Sequence, residues 1–373
     1  MKNRVTLDHL IYRLAEKKDE AVINSILRQN SMDSWISIST EHEPSYFDSA
    51  DLFGHRETII GMQEMDERVV GMGSYTLLPV HINGEACNVG YIGELRICEE
   101  FRHRFRILRN AYEALRLFSS NQAAIEHWYT SIASENKKAR RLLEAKLKDK
   151  PHYQPQGEML SLALSTSGNY SNVMQNAKPE DIPAIVHFYN RHSSLMQYSP
   201  VLTEEWMQEL CSAESQTGLS LNDFWLLTNG KNIVACFALW DQRKFKQSVV
   251  RGYRFPLNIS RPFYNLFSRL NGHVVLPPKG KPINYIFIAF LAIDKKTLTD
   301  GQAIIESALT LARNKNAAIA MLGLSVKNSL VDRLKPYPKA IYRTVIESVQ
   351  WANQADVTVA LDERMVQPEI AIL

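Results

Sequence analysis

The chain has 373 residues, 45% of them hydrophobic and 22% charged, which suits two units of ordinary domain size with packed cores and excludes a disordered protein. A net charge of +3 is too small to mark a nucleic-acid surface by itself, and no helix-turn-helix, zinc or RNA-binding signature accompanies it. The four cysteines, Cys87, Cys98, Cys211 and Cys236, form no C-x-x-C pair, and three of them sit in strand-like apolar runs, as reduced cytosolic thiols do.

The opening MKNRVTLDHLIYRLAEKKDE is charged throughout, so no signal peptide is expected, and no apolar run is long enough to span a membrane. The expectation is a cytoplasmic protein with neither a membrane nor a nucleic acid as partner. In IYRLAEKKDEAVINSILRQNSM, Ala21, Ile23, Ile26 and Leu27 share one helical face, with Asp19 as an N-cap. TIIGMQEM and VVGMGSYTLLPV flank the charged turn Asp66-Glu67-Arg68, and Asn83-Gly84 suits a type I′ hairpin. A strand over about 91–97 then leads through a basic loop into a helix ending near Phe118. HWYTSIA reads as a strand and SENKKARRLLEAKL as a helix.

From about residue 172 the same order returns. NAKPEDIPAIVHFYNRHS has a cap at Lys178 to Asp181 and an amphipathic helix, and DFWLLTNGKNIVACFALWD is a hairpin turning at Asn229-Gly230. INYIFIAFLAID is a buried strand, DGQAIIESALTLARNK a helix, AIAMLGLSV a strand and KNSLVDRL a short helix. Ala15 to Asp19 recurs as Ala177 to Asp181, and the turn at Asp66 recurs at Asn229 at nearly the same offset. Asn136 and Asn328 stand farther apart, which puts extra residues at about 241–284. A duplicated α/β unit follows, with the small, polar STSGNYSN as linker.

Arg102, His103, Arg104, Arg106 and Arg109 crowd the start of the helix that follows the apolar run Leu95 to Cys98. A helix start leaves four N–H groups unpaired and carries about half a positive charge, so a phosphate there meets both donors and field.

This order of elements resembles the GCN5-related N-acetyltransferase (GNAT) superfamily. ELRICEEFRHRFRIL is similar to that family's acyl-CoA signature, a strand, a basic R/Q-x-x-G-x-G/A loop and a helix. SENKKARRLLEAKL is similar to its later signature, with Asn136 before a helix and Ala139 three residues on. The resemblance implies an α/β (α+β) fold of two tandem GNAT-like domains, 1–165 and 172–373, each a mixed, mostly antiparallel sheet flanked by helices. It implies acetyl-CoA or another acyl-CoA as co-substrate, its pantetheine along Leu95, Arg96 and Ile97. The diphosphate would lie on Arg102, His103, Arg104, Phe105, Arg106 and Ile107, with Asn136 in the later motif. Phe105 and Ile107 occupy the two glycine positions and either turn away from the helix mouth or fill it. The second half has Gly301 and Ala303 at those positions, with Leu298 at the basic start.

Glu94 stands where related enzymes place a general base; alternation along GYIGELRI also allows an ion pair with Arg96. The family's acid tyrosine is Leu143 here and Lys335 in the second half; Tyr153 and Tyr337 lie nearby, each a candidate acid or a packing tyrosine, and Tyr153 belongs to the half with the CoA motif. Cys98 ends an apolar strand and reads as core. His187 and His192 are spaced five apart on a helix, which does not align them as ligands, so no metal is expected. Phe255, Phe263, Tyr264 and Phe267 either line an acyl or substrate pocket or form a lid packed on the second unit. The function expected is N-acyl transfer, with acetyl the first choice, to a small-molecule or peptide amine. The alternative is a non-catalytic protein that binds acyl-CoA or a partner. Neither reading specifies an oligomeric state.

Overall fold

The computed structural model describes residues 4–31, 35–102, 104–120, 125, 127–145, 150–211, 217–270, 274–297, 300–351 and 360–373, and for 269, 338 and 339 the backbone alone. The first half contains β1 (Arg4–Leu7), β2 (Leu10–Leu14), α1 (Glu20–Gln29), β3 (Ile36–Glu41), β4 (His55–Gln63), β5 (Val69–Ile82) and β6 (Glu85–Ile97). It continues with α2 (Phe105–Ser119), β7 (His127–Ala133), α3 (Lys137–Glu144) and β8 (His152–Ser165). The second half opens with β9 (Gln175–Asn176), α4 (Ile182–Ser193), β10 (Met196–Gln197), β11 (Ser199–Pro200) and α5 (Glu204–Glu209). Then come β12 (Phe224–Asn229), β13 (Asn232–Trp240), β14 (Gln247–Tyr253), α6 (Leu257–Leu270) and β15 (Tyr285–Ile293). The last elements are α7 (Gly301–Asn314), β16 (Ile319–Ser325), α8 (Leu330–Arg333), β17 (Pro338–Gln350) and β18 (Met365–Val366).

Local chemistry accounts for several boundaries. Ile23, Ile26 and Leu27 form the buried face of α1, whereas Ala21, expected on the same face, is exposed near the helix start. Asp19 does not cap that helix directly. Its carboxylate accepts the Glu16 N–H at 2.8 Å and both terminal nitrogens of Arg13 at 2.7 Å, closing the turn before α1. Asp181 repeats the device, accepting the Lys178 N–H at 2.9 Å before α4. Asn83 and Gly84 have φ of 52° and 90°, as a type I′ turn demands of both central residues. β6 starts at once after this turn and runs to Ile97, so the hairpin arm and the strand before the basic loop are one strand.

Most strands join one mixed, mostly antiparallel sheet in the order β1-β2-β4-β5-β6-β7-β17-β8-β16-β15-β13-β12-β9, with helices against its faces. β17, from the end of the chain, inserts antiparallel between β7 and β8, and β8 lies between β17 and β16. Each half therefore receives a strand from the other. A separate ribbon pairs β3 with β14 and again joins the halves.

The cores follow this plan. Leu108, Tyr112, Leu115 and Phe118 of α2 pack on Ile92, Trp128 and Trp351. Ile304, Ile305 and Leu309 of α7 pack on Ile286 and Leu322. A third cluster spans both halves, with Val89, Tyr129 and Met159 beside Tyr198, Trp240 and Ile346. Tyr129 and Tyr198 stack there at 4.4 Å. Each such side chain contributes about 1.5–3 kcal/mol by leaving water.

Candidate active site

β6 and β7 run parallel and pair only from Val89 opposite His127 to Ile92 opposite Thr130. Beyond that point β6 continues to Ile97 while β7 keeps pairing with β17 as far as Ala133, so the two strands part. The cause lies in β6. The register with β5 shifts between Met72 and Ser74, and Glu94 takes φ 50°, the left-handed region that β-strand residues avoid. Glu94 and Leu95 together oppose Gly73, which makes a bulge. Thr130 closes the apex by donating its hydroxyl to the Ile92 carbonyl at 2.7 Å. The stretch Leu95, Arg96 and Ile97 thus borders an open wedge.

The wedge ends at the start of α2. Ile107 turns into the core, 4% exposed, beside Val70 and Phe101, and its carbonyl accepts from the buried Tyr12 hydroxyl at 3.0 Å. Phe105 is half-buried and packs with the Leu108 and Tyr112 cluster. No side chain caps this helix, and the N–H groups of Phe105 and Arg106 meet no acceptor among the described residues. Arg102, Arg104 and Arg106 are exposed around them. Arg102 bonds Asn30 Oδ1 at 2.7 Å, and Arg104 lies over the Phe101 ring. Arg109 differs from the rest, since its guanidinium is held by Asp8 at 2.6 Å. His103 lies outside the described residues, as does Leu298 of the second half. Asn136 N-caps α3, its Oδ1 accepting the Ala139 N–H at 3.1 Å.

Glu94 is not paired with Arg96, whose guanidinium donates to the Leu95 carbonyl at 3.0 Å. Positive φ turns the Glu94 carboxylate into a cluster built from distant segments. Tyr46 donates its hydroxyl to Oε2 at 2.5 Å, and His42 Nε2 lies 3.2 Å from Oε1. His42 Nδ1 is 2.8 Å from Ser49 Oγ, and Thr58 Oγ1 is 2.7 Å from the Tyr46 hydroxyl. Arg56 holds the frame, donating to Ser49 Oγ and the Tyr46 carbonyl at 2.9 Å each and lying over the Tyr46 ring at 4.6 Å. Burial alone would raise the Glu94 pKa. The His42 bond, the Arg56 charge and the Tyr46 hydroxyl together outweigh it and hold the carboxyl well below the usual range. Burial lowers the His42 pKa, although Glu94 pulls it up. It also pushes Lys246 down to about 8, although Glu94 pulls the other way. Lys246 donates to the Leu373 carbonyl at 2.7 Å.

Tyr153 is elsewhere. It is buried on β8 in the α2 core, its hydroxyl 2.5 Å from that of Tyr112. A groove of about 460 Å³ lined by Arg28, Glu41, Glu43, Gln247 and Arg251 lies at the β3–β14 ribbon. Its charges already pair with one another, through Arg28 to Glu41 and Glu43 and through Arg251 to Glu41. The wedge, not this groove, joins a strand edge to an uncapped helix start. Among the described residues no group of histidine, cysteine and acidic side chains is placed to hold a metal.

The second half has the matching break. β15 and β16 run parallel only from Tyr285 opposite Ile319 to Ile288 opposite Leu322, and Phe290 takes φ 53°. This wedge is filled by the last residues of the chain. Glu369 Oε2 accepts the Phe290 N–H at 2.8 Å, and Gln367 Oε1 accepts from the Ser325 N–H and Asn328 Nδ2 at 3.2 and 2.9 Å. Ile370 lies against Gly323, where an added Cβ would come within 2.5 Å of its side chain.

No family model matches the chain, and no curated protein matches it in sequence. Solved structures match it over nearly its whole length. Saccharomyces cerevisiae N-myristoyltransferase with bound myristoyl-CoA aligns at TM-score 0.60 and 13% identity, covering 93% of this chain and 84% of that one. A GCN5-related N-acetyltransferase from Sphaerobacter thermophilus aligns at TM-score 0.56 and 10% identity, covering 97% and 100%. The chain has the GNAT fold. In this GNAT fold the bulged strand, the parting of β6 from β7 and the helix start at Phe105 adjoin. His42, Tyr46, Arg56 and Lys246 were not legible as site residues. His42 and Tyr46 come from the loop after β3, Arg56 from the start of β4 and Lys246 from a segment of the second half, and EHEPSYFDS carries no spacing signal beyond its polar crowding.

Proposed function

We propose that this chain transfers an acyl group from acyl-CoA to an amine, with the CoA held in the first-half wedge. One observation carries the reading. Of two matching wedges, the first opens beside an uncapped, arginine-rich helix start, whereas the second is filled by Gln367, Glu369 and Ile370. In this reading the diphosphate meets the N–H groups of Phe105 and Arg106 and the guanidiniums of Arg102, Arg104 and Arg106. Ile107 leaves the approach clear because its side chain is in the core. The pantetheine amides run along Leu95, Arg96 and Ile97, and the thioester carbonyl meets a backbone N–H at the Glu94 bulge.

A carboxyl held as far below neutrality as Glu94 is a weak base. We therefore assign Glu94 to hold the acceptor's ammonium beside the thioester, so that proximity supplies most of the rate. Lys246, within reach of the Glu94 charge, is the nearby amine whose pKa burial brings down to about 8. Titration calorimetry with acetyl-CoA and longer acyl-CoAs tests the site. Binding by wild type that falls about tenfold or more in Arg102→Ala/Arg104→Ala supports it, and no binding of any acyl-CoA overturns it. Thiol release across a panel of small and peptide amines tests the transfer.

A second reading, a non-catalytic acyl-CoA-binding protein, draws on Tyr153. The acid candidate spends its hydroxyl on Tyr112 inside the core. Tight acyl-CoA binding without thiol release from any amine would favour it.

A further inference from the structure

The helix α6 is built inside out. Three of its polar residues face the protein: Asn265 exchanges bonds with the Leu276 backbone at 2.9 Å, Arg261 donates to the Pro277 carbonyl at 3.0 Å, and Ser268 is fully buried. Its apolar residues face outward. Ile259, Phe263, Leu266 and Leu270 fall within an arc of about 60° at 3.6 residues per turn. They are 65%, 76%, 60% and 78% exposed, and Phe255 just before the helix is 77% exposed. Phe255 and Phe263 are thus too exposed to be the core of a packed lid. Trp35, 64% exposed, extends the patch, since its carbonyl accepts the Arg254 N–H at 3.0 Å.

Charge says what the patch suits. From Arg243 to Ile293 the sequence contains nine lysines and arginines and no aspartate or glutamate. The chain as a whole has 43 basic and 40 acidic residues, so the remainder is net acidic, 34 against 40. Arg254, Lys279 and Lys281 are exposed, and the loop carrying the two lysines is tied to α6 through Leu276 and Pro277. An outward apolar stripe flanked by cations, with aromatic side chains at its border, has the composition of a helix lying in a lipid–water interface. No described helix is long and apolar enough to cross a membrane, so the geometry is that of a helix lying on the surface.

We propose that α6 with Trp35, Phe255, Lys279 and Lys281 docks this protein on an anionic lipid bilayer. The apolar stripe of the helix enters the acyl-chain boundary, and the cations meet lipid phosphates. The reading is independent of acyl transfer, because it uses none of the wedge residues.

Flotation with lipid vesicles tests it, using wild type, Phe263→Ser/Leu266→Ser and Lys279→Glu/Lys281→Glu. Thermal unfolding of each variant checks folding, which these exposed positions leave intact. Wild type is expected to float with phosphatidylcholine vesicles containing phosphatidylglycerol and to be released by high salt. Each double variant is expected to lower the partition coefficient about tenfold or more. Amide exchange over residues 255–270 of wild type should slow on the same vesicles. Failure to float, or equal flotation with pure phosphatidylcholine, overturns the proposal. So does a concentration-dependent dimer abolished by Phe263→Ser/Leu266→Ser with no vesicle binding, since a second copy would then cover the stripe.

Discussion

The backbone N–H of Phe290 donates to Glu369 Oε2 at 2.8 Å, inside the wedge of the second half. The same carboxylate accepts the Ala371 N–H, and burial still raises its pKa to about 7. In the unfolded chain this group ionises in the ordinary glutamate range. Between about 4.5 and 7 the native state therefore binds more protons than the unfolded one. Stability contributed by this group falls as pH rises through that window and is level above it. The drop is roughly 3 kcal/mol at most. Glu369→Gln is expected to flatten that slope, measured by denaturant unfolding at several pH values. An unchanged slope would assign it to another group, of which the buried Glu347 is the first candidate, its pKa also raised to about 7.

At the first wedge, stability and ligand affinity separate. Ile107 fills core space beside Val70 and Phe101, so Ile107→Ala should lose about 2–5 kcal/mol of stability. Its acyl-CoA affinity, measured below the melting range, should stay within a few-fold of wild type. Arg102→Ala/Arg104→Ala should show the reverse, weak binding with stability nearly unchanged. A large loss of affinity in Ile107→Ala would mean that this side chain shapes the helix mouth.

Glu94→Gln removes a charge that His42, Tyr46 and Arg56 are arranged to receive. The depressed native pKa means that Glu94 stabilises the fold above the ordinary glutamate range. That contribution is lost as pH falls below it. The variant should be less stable than wild type at pH 7 and differ little in strong acid. Under the acyl-transfer reading it should lower kcat by about tenfold or more while leaving acyl-CoA affinity intact.

Lys246 provides a second pH window. Its native pKa of about 8 lies below the unfolded lysine value, so the unfolded chain binds more protons between those two pKa values. Stability contributed here rises with pH across that window, and Lys246→Met should abolish the rise. In Glu94→Gln the lysine loses the carboxylate that supports its charge, so the onset should move to lower pH. An onset that stays in place would show that Glu94 and Lys246 are not coupled.

Local chemistry made much of this legible. Asn83-Gly84 specifies its turn through backbone dihedrals, Asn136 its cap through one side-chain oxygen, and the face of α1 its burial through spacing. What escaped depends on distance along the chain. Alternation pointed Glu94 towards Arg96, but a single left-handed residue reversed the carboxylate and handed it to His42 and Tyr46. The family position for an acid directed attention to Tyr153 on β8, whose partner Tyr112 comes from the distant helix α2. The exchange of β8 and β17 left no trace in periodicity, because a strand's pattern reports its faces and not its neighbours.

That exchange bears on how the protein is made. Met159 of β8 lies opposite Thr344 of β17, and Ser131 of β7 opposite Ile346. While the first half emerges from a ribosome, β7 and β8 have no strand to place between them, and both keep an unpaired edge. Edges of that kind recruit other chains. Completion waits for β17, far along the chain from β7 and β8, so the first half cannot finish folding as an early, separate event. A chain released before residue 338 would present two open edges at once, and aggregation rather than a smaller working protein is its expected fate.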